Sequence, residues 1–320
     1  MTSTSVPLNH ANLEPSAVAS QLEAAVGNVV RGKPDVVRLA VTGVLARGHL
    51  LLQDLPGTGK TLLGKALASA MGGHFGRVQC TPDLLPTDVS GTSVFQPATG
   101  DWSFRAGPIF SNVVLIDEVN RASPRTQSAL LEPMEERQVT VDGVARLLPE
   151  PFVCIATQNP LGQLGTFPLP ESQLDRFALV LSLGVAGRDA ERDVLTHRGG
   201  TAQLSAVRAV VGPDQMAQVI ATIGSMPVQS ELVEYVLDLV EATRSDARLQ
   251  VGASTRAAVG LLDLARAHAT VVGRTYVTPD DVQYVFRSAL SHRVSTGADG
   301  DLAGAWAVLG DLLARVPVPR

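Results

Sequence analysis

Three short stretches of the chain carry residue types at spacings suited to phosphate chemistry. The first is LLQDLPGTGKT, residues 51–61, where an apolar strand runs into a Pro-Gly turn and then into a Lys-Thr pair that opens a helix. Such a loop points successive backbone N–H groups inward, and the positive end of the following helix attracts an anion. Gly57 and Gly59 let the backbone close on phosphates, Lys60 reaches the terminal two, and the Thr61 hydroxyl is a ligand for Mg²⁺. The expected nucleotide-binding stretch is Asp54, Leu55, Pro56, Gly57, Thr58, Gly59, Lys60, Thr61 and Leu62. Asp54 stands where the G-x-x-x-x-G-K-[ST] pattern has its first glycine. The expectation there is a left-handed backbone, which Asp tolerates better than most residues.

The second stretch, VVLIDEV (113–119), is an apolar strand that ends in two consecutive acids. A buried strand has no structural use for two carboxylates at its tip, because unpaired charge there is costly. A metal and a water give both a role: Asp117 holds Mg²⁺ and Glu118 orients or deprotonates the attacking water. The third stretch, CIATQNP (154–160), ends another apolar strand on Asn159. Polar groups at the carboxyl ends of parallel strands gather where ligands bind in open α/β sheets.

These residues need a sheet to bring them together, and the pattern supplies one. HLLLQD, FGRVQC (75–80), NVVLID (112–117), FVCIAT (152–157) and FALVLSL (177–183) read as five short apolar strands. Amphipathic helical stretches such as KTLLGKALASAMG and SPRTQSALLEPMEER separate them, which predicts a parallel sheet covered on both faces. Strand order cannot be read from this pattern. Residues 17–46 are helical in period, interrupted at Pro34. After Gly184 only helical patterns remain, with Ser254 and Thr278 as N-caps and Gly273 as a stop. Turns at Gly100-Asp101 and Asp142-Gly143 mark two hairpins, and Pro133 is placed to kink its helix. The expected organisation is a polar tail over 1–16, a nucleotide-binding core over 17–190 and a helical lid over 191–320.

Composition narrows the class. Hydrophobic residues make up 45% and charged residues 18%, an ordinary globular balance. With 26 basic and 31 acidic residues the formal charge is −5, which argues against a general nucleic-acid binder. Cys80 and Cys154, each in an apolar run, read as small buried side chains in a reducing compartment, and their spacing asks for neither a disulfide nor a zinc site. No apolar run reaches bilayer length and the first residues carry no leader pattern, so the expectation is a cytoplasmic protein without membrane insertion.

At these residues the chain resembles the MoxR-type AAA+ ATPases, of the clade that carries an insert in its second helix. The likeness covers roughly residues 25–295 and is densest from 48 to 178, including FRAGPIFSNVVLIDEVNRASPRTQSALLEPMEERQVTVDG and PLPESQLDRF. It implies a P-loop α/β core with a parallel five-stranded sheet and a C-terminal all-α lid. It matches Gly57, Gly59, Lys60 and Thr61 to the phosphate loop, Asp117 and Glu118 to the acid pair, and Asn159 to the polar sensor. Arg176 matches the arginine finger that the family points at a neighbouring subunit's nucleotide. A guanidinium fork there neutralises phosphoryl charge and couples hydrolysis to assembly. Arg256 matches a second sensor on the lid; at a helix start it opposes the dipole, so it answers to something anionic, and action in cis or in trans stays open. Arg121 and Arg125 are matched to the subunit interface or to solvent. The resemblance further implies ATP and Mg²⁺ as ligands, a hexameric ring, and a partner with a von Willebrand factor A domain that is remodelled during maturation or metal insertion. The rival readings are a nucleotide-gated scaffold without hydrolysis, a chelatase-type metal-insertion motor and a nucleic-acid motor.

Overall fold

The structure is a computed structural model of the 320-residue chain, and it describes residues 13–54, 57–158, 166–185, 187–196, 201–297 and 301–319. Helices α1 (Pro15–Gly27) and α2 (Pro34–Leu45) come first, each with proline in its opening turn, where the missing N–H would have had no helical partner. Helix α1 thus begins inside the stretch read as a polar tail, of which residues 1–12 lie outside the described residues.

The central sheet is built from β1 (Leu50–Gln53), β2 (Phe75–Gln79), β5 (Val113–Asp117), β8 (Val153–Gln158) and β9 (Leu179–Leu181). These are the five strands read from the sequence. The structure adds their order, β2–β5–β8–β1–β9, with every pairing parallel. Between them lie two antiparallel hairpins, β3 (Gly91–Gln96) with β4 (Asp101–Ala106) and β6 (Gln138–Val141) with β7 (Val144–Leu147). The second hairpin turns at Asp142-Gly143 as expected, both left-handed. The first turns over residues 97–100, so Asp101 already belongs to its second strand.

One face of the sheet (Leu50, Leu52, Leu115, Ile155) packs with α1, α2 and α3 (Lys60–Ala70) and is continuous with the lid core. The other face (Leu51, Val114, Ile116, Cys154, Ala156) packs on α5 (Pro124–Glu136) through Leu130 and Leu131. Each of the leucine, isoleucine and valine side chains among them, fully removed from water, contributes about 1.5–3 kcal/mol before conformational entropy is charged against it. Helix α5 continues through Pro133, ends three residues later at Glu136 and is followed by a left-handed Arg137; Pro133 does not end it. The remaining helices are α4 (Pro86–Ser90), α6 (Glu171–Leu174), α7 (Arg188–Thr196), α8 (Thr201–Ala206), α9 (Pro213–Gly224), α10 (Ser230–Ser245), α11 (Thr255–Val271), α12 (Pro279–Leu290) and α13 (Leu302–Arg315). Ser254 caps α11 through its side chain as read, and Thr278 stands at the N-cap position of α12, where its N–H and hydroxyl both donate to the Asp281 carboxylate. Helix α11 packs on α1, α2, α9, α10 and α12, and so joins lid to core. No helix among the described residues is long and apolar enough to cross a membrane.

Two buried histidines tie the foot of this assembly together. His49 has Nε2 3.0 Å from the carbonyl of Met134 and accepts at Nδ1 from the Cys154 N–H, also at 3.0 Å. That pair of contacts fixes the neutral ring with its proton on Nε2. Burial, then the Arg137 charge, pushes its pKa down to about 3. His292 is likewise pushed down to about 3, by burial and then by Arg293. Unfolded histidine titrates near 6.5, so below that pH the unfolded chain takes up protons that the native rings refuse. Folding free energy is therefore expected to be undiminished above pH 7 and to fall by up to ~2.7 kcal/mol per pH unit as pH drops below about 6. Urea unfolding at pH 7.5, 6.0 and 5.5 measures this. His49→Gln should roughly halve the slope, and an unchanged slope would count against a neutral buried ring.

Candidate functional site

Strand β1 ends at Gln53, and the chain then enters the phosphate loop, of which Leu55 and Pro56 lie outside the described residues. Gly57 (φ +85°) and Gly59 (φ +100°) are both left-handed, a conformation that glycine adopts without strain. A Cβ at either position would meet no atom within 4 Å. Helix α3 begins at Lys60 with no side-chain cap, which leaves its first N–H groups directed at the loop. Lys60 Nζ donates to the Asp54 carbonyl at 2.8 Å, folding back across the loop. Thr58, Thr61 and Leu62 are partly buried around it.

Asp54 does not adopt the left-handed backbone expected of it: the left-handed non-glycine residues are Arg47, Glu118, Arg137 and Asp142 among the described residues. Its carboxylate is the reason it is there. It is buried and accepts from Ser182 Oγ at 2.9 Å and from the N–H groups of Leu183 and Gly184 at 2.5 and 2.9 Å. The aspartate anchors the loop entrance to the segment leaving β9.

Next to β1 in the sheet, β8 presents Thr157, a buried hydroxyl that sequence reasoning missed. Thr157 Oγ1 donates to Asp117 Oδ1 at 2.7 Å and accepts from the Glu118 N–H at 2.8 Å, so one side chain orients both acids. Glu118 is left-handed (φ 56°), an unusual conformation for a non-glycine residue and one whose strain the surrounding contacts must hold. The second oxygen of Asp117 accepts from Arg77 at 2.7 Å. Glu118 Oε2 accepts from Arg121 at 2.9 Å and lies 3.5 Å from Gln79 Nε2. Arg121 is thus engaged with the acid pair, whereas Arg125 is exposed. Asn159 lies outside the described residues.

The donor set fits magnesium better than a metal held by protein alone. Among the described residues no cluster of three or more His, Cys, Asp or Glu side chains is arranged to hold an ion. Thr61 and Asp117 offer hard oxygens only, which is the sparse set that Mg²⁺ uses when phosphate and water complete its shell.

Arg176 and Arg256 stand together, on one carboxylate. Arg176 follows α6, donates to the Leu131 carbonyl at 2.6 Å and lies 3.4 Å from Glu135 Oε2. Arg256, in the first turn of α11, donates to Glu135 Oε1 at 2.9 Å and lies 3.8 Å from Asp175. In this structure Arg256 is paired with a carboxylate of the core. Gln79 ends β2 and Thr157 stands one residue before the end of β8, so the rule that singled out Asn159 had the reach to find them. Glu135, whose contacts join residues far apart in sequence, had no local signal.

A strand–loop–helix with an uncapped helix start, an acid pair at a neighbouring strand tip, a parallel sheet and an all-helical lid together define the architecture of the P-loop nucleoside triphosphatases. The model of the ATPase family associated with various cellular activities matches residues 49–179, and that of the AAA lid domain matches residues 241–305. YeaC of Bacillus subtilis, an uncharacterised protein, is 40% identical over 92% of each chain. Chaperone MoxR1 of Mycobacterium tuberculosis is 36% identical, covering 95% of this chain and 84% of its own. The crystal structure of a candidate ATPase from Cytophaga hutchinsonii is 34% identical and superposes with a TM-score of 0.88, covering 96% of this chain and 97% of that one. The chain belongs to the MoxR family of AAA ATPases.

Thr157→Val removes the hydroxyl that serves both acids while keeping the shape of the side chain. The expected result is a fall in kcat of about tenfold to a hundredfold with KM for ATP changed less than about twofold, because the loop is untouched and the acids are misaimed. Thr157→Ser should restore most of the rate. Steady-state phosphate release checks it, and a wild-type kcat for the valine variant would exclude the bridge from the working site.

Proposed function

We propose that the chain hydrolyses the terminal phosphoanhydride of ATP in a homo-oligomeric ring, taken here as a hexamer, and uses the cycle to remodel a partner protein. The observation that carries this reading is the Thr157 bridge, which fixes a metal-holding acid and a water-orienting acid at the strand tip beside the phosphate loop. In the proposed reaction the N–H groups opening α3 and the Lys60 ammonium bind the β- and γ-phosphates. Mg²⁺, held by Thr61 and Asp117, would supply charge neutralisation on those phosphates. Glu118 orients a water and accepts its proton as the water oxygen bonds to the γ-phosphorus and the bond to the ADP oxygen breaks. Asn159 is assigned as a polar contact to the γ-phosphate or that water.

Arg176 and Arg256 are assigned to the neighbouring subunit's γ-phosphate, where their positive charge offsets the transition-state charge. Support for a shared role is that both guanidiniums meet on Glu135, away from the Lys60 loop contacts. On this reading Arg256 acts in trans. A protein partner, expected to bear a von Willebrand factor A domain, draws support from the chaperone name of the M. tuberculosis relative and from the −5 charge, which disfavours nucleic acid. The free, buried Cys80 and Cys154 suit a cytoplasmic setting.

Lys60→Ala is expected to weaken nucleotide binding at least about a hundredfold, whereas Glu118→Gln keeps binding and loses hydrolysis by a similar factor. Fluorescent-nucleotide titration and phosphate release separate the two; binding without turnover in the wild type would favour a nucleotide-gated scaffold. Arg176→Ala alone should turn over at least about tenfold more slowly, and mixing it with Glu118→Gln should restore part of the rate. Such mixing creates interfaces that pair an intact acid with an intact arginine, and an absence of recovery would refute action between subunits.

A further inference from the structure

The lid reaches the core at the peptide that carries Arg176. Arg293, just beyond α12, is buried, with 7% of its side chain exposed, yet it is a lid residue whose side-chain hydrogen bonds and ion pair go to the core segment around residue 176. Its Nη2 donates to two main-chain carbonyls, those of Asp175 and Phe177, each at 3.0 Å. Its Nε lies 3.0 Å from Asp175 Oδ1, an ion pair without an aligned hydrogen bond. His292 places Nε2 2.8 Å from the same Phe177 carbonyl. The carbonyls on both sides of Arg176 are therefore held by consecutive lid residues, while the Arg176 side chain is steadied by Leu131 O and Glu135.

Burying a guanidinium costs several kcal/mol, and an apolar side chain of like volume would fill the space at lower cost. Nη1 and Nε of Arg293 lack hydrogen-bond partners, so the group is not there for full satisfaction of its donors. What an apolar residue could not do is grip two carbonyls that flank one residue and so fix that residue's backbone direction. The two in-plane hydrogens of one Nη2 do this at once while Nε faces the Asp175 carboxylate, an arrangement fixed by the planar group that a rotating ammonium does not reproduce.

We infer that Arg293 is a positioning residue for Arg176: it locks the peptide on either side of the finger to the lid, so that the lid's placement sets where the finger points. The inference rests on the reading of Arg176 given above. It predicts a loss specific to the step that needs Arg176. The test uses full-length assembled protein carrying Arg176→Ala, Arg293→Gln, Arg293→Lys, or Arg176→Ala with Arg293→Gln. Arg293→Gln is expected to lower kcat at least about tenfold with KM for ATP within about twofold, and Arg293→Lys to recover only part. The double variant should turn over no more slowly than Arg176→Ala alone, because the two residues act as one unit.

Multiplying losses in the double variant would overturn the inference, as would wild-type turnover of Arg293→Gln. Wild-type turnover of Arg176→Ala would instead overturn the assignment of the finger, so the two failures are told apart by which single variant is silent. Should Arg293→Gln lose its cooperative melting transition, Arg293→Lys carries the same comparison, alone and combined with Arg176→Ala.

Discussion

The parallel register of β1, β8 and β5 is the constraint on which the site depends. Parallel pairing gathers the carboxyl ends of all five strands at one edge, and the ladder sets Gln53 level with Gln158 and Ile116 level with Ala156. Asp117 then falls beside Thr157, close enough for a 2.7 Å hydrogen bond. Side chains alternate along a strand, so a slip of one residue in β8 would send Thr157 to the α5 side and bring an alanine or glutamine to the acids. The unaccompanied hydroxyl would be buried among Leu130, Leu131 and Ile116, and the left-handed turn at Glu118 would lose the group that receives its N–H. Apolar packing on both faces holds the register, and the polar edge inherits its geometry.

A second theme is the use of main-chain oxygens to settle buried cations. Lys33 donates to the Gly184 carbonyl, and burial lowers its pKa although nearby Asp54 opposes the change. Arg137 donates to the carbonyls of Phe152 and Arg47, and Arg293 to those of Asp175 and Phe177. Each pairing fastens two segments remote in sequence, where a salt bridge between surface side chains would contribute little. Asp54 does the complementary thing with N–H groups of residues 183 and 184. Lys33 and Asp54 therefore meet on the stretch where the chain leaves the sheet, so the entrance of the phosphate loop and the exit towards the lid share one fixed point.

Much of this was legible in the sequence, for reasons that differ by element. The five strands were short apolar runs between helical patterns, and the caps at Ser254 and Thr278 were local signals that need no tertiary context. The phosphate loop and the acid pair declared themselves by residue type at a strand end. Strand order was hidden, since the pattern of a strand does not name its neighbours. Asp54 was misread because the sequence shows a residue out of place in a loop, whereas the three hydrogen bonds that explain it come from residues 182–184. Glu135 and Arg293 carried no signal at all: a glutamate near a helix end and an arginine after a helix look like ordinary surface charges until the chain is folded.

Helix α5 draws several of these parts onto one rigid element. It starts a few residues after Glu118, offers the Leu131 carbonyl and the Glu135 carboxylate to Arg176 midway and late in its course, and passes at its end into the β6–β7 hairpin. That hairpin is tied to β3–β4 by the Ser93–Asp142 hydrogen bond and by Arg146 resting 3.9 Å over the Phe104 ring, and the pair carries Trp102 and Leu147 to solvent, 71% and 79% exposed. The helix thus stands like a crankshaft between the turn after the acid pair, the guanidinium along its flank and the greasy knuckles beyond its far end, so that the same few turns set the spacing of all three.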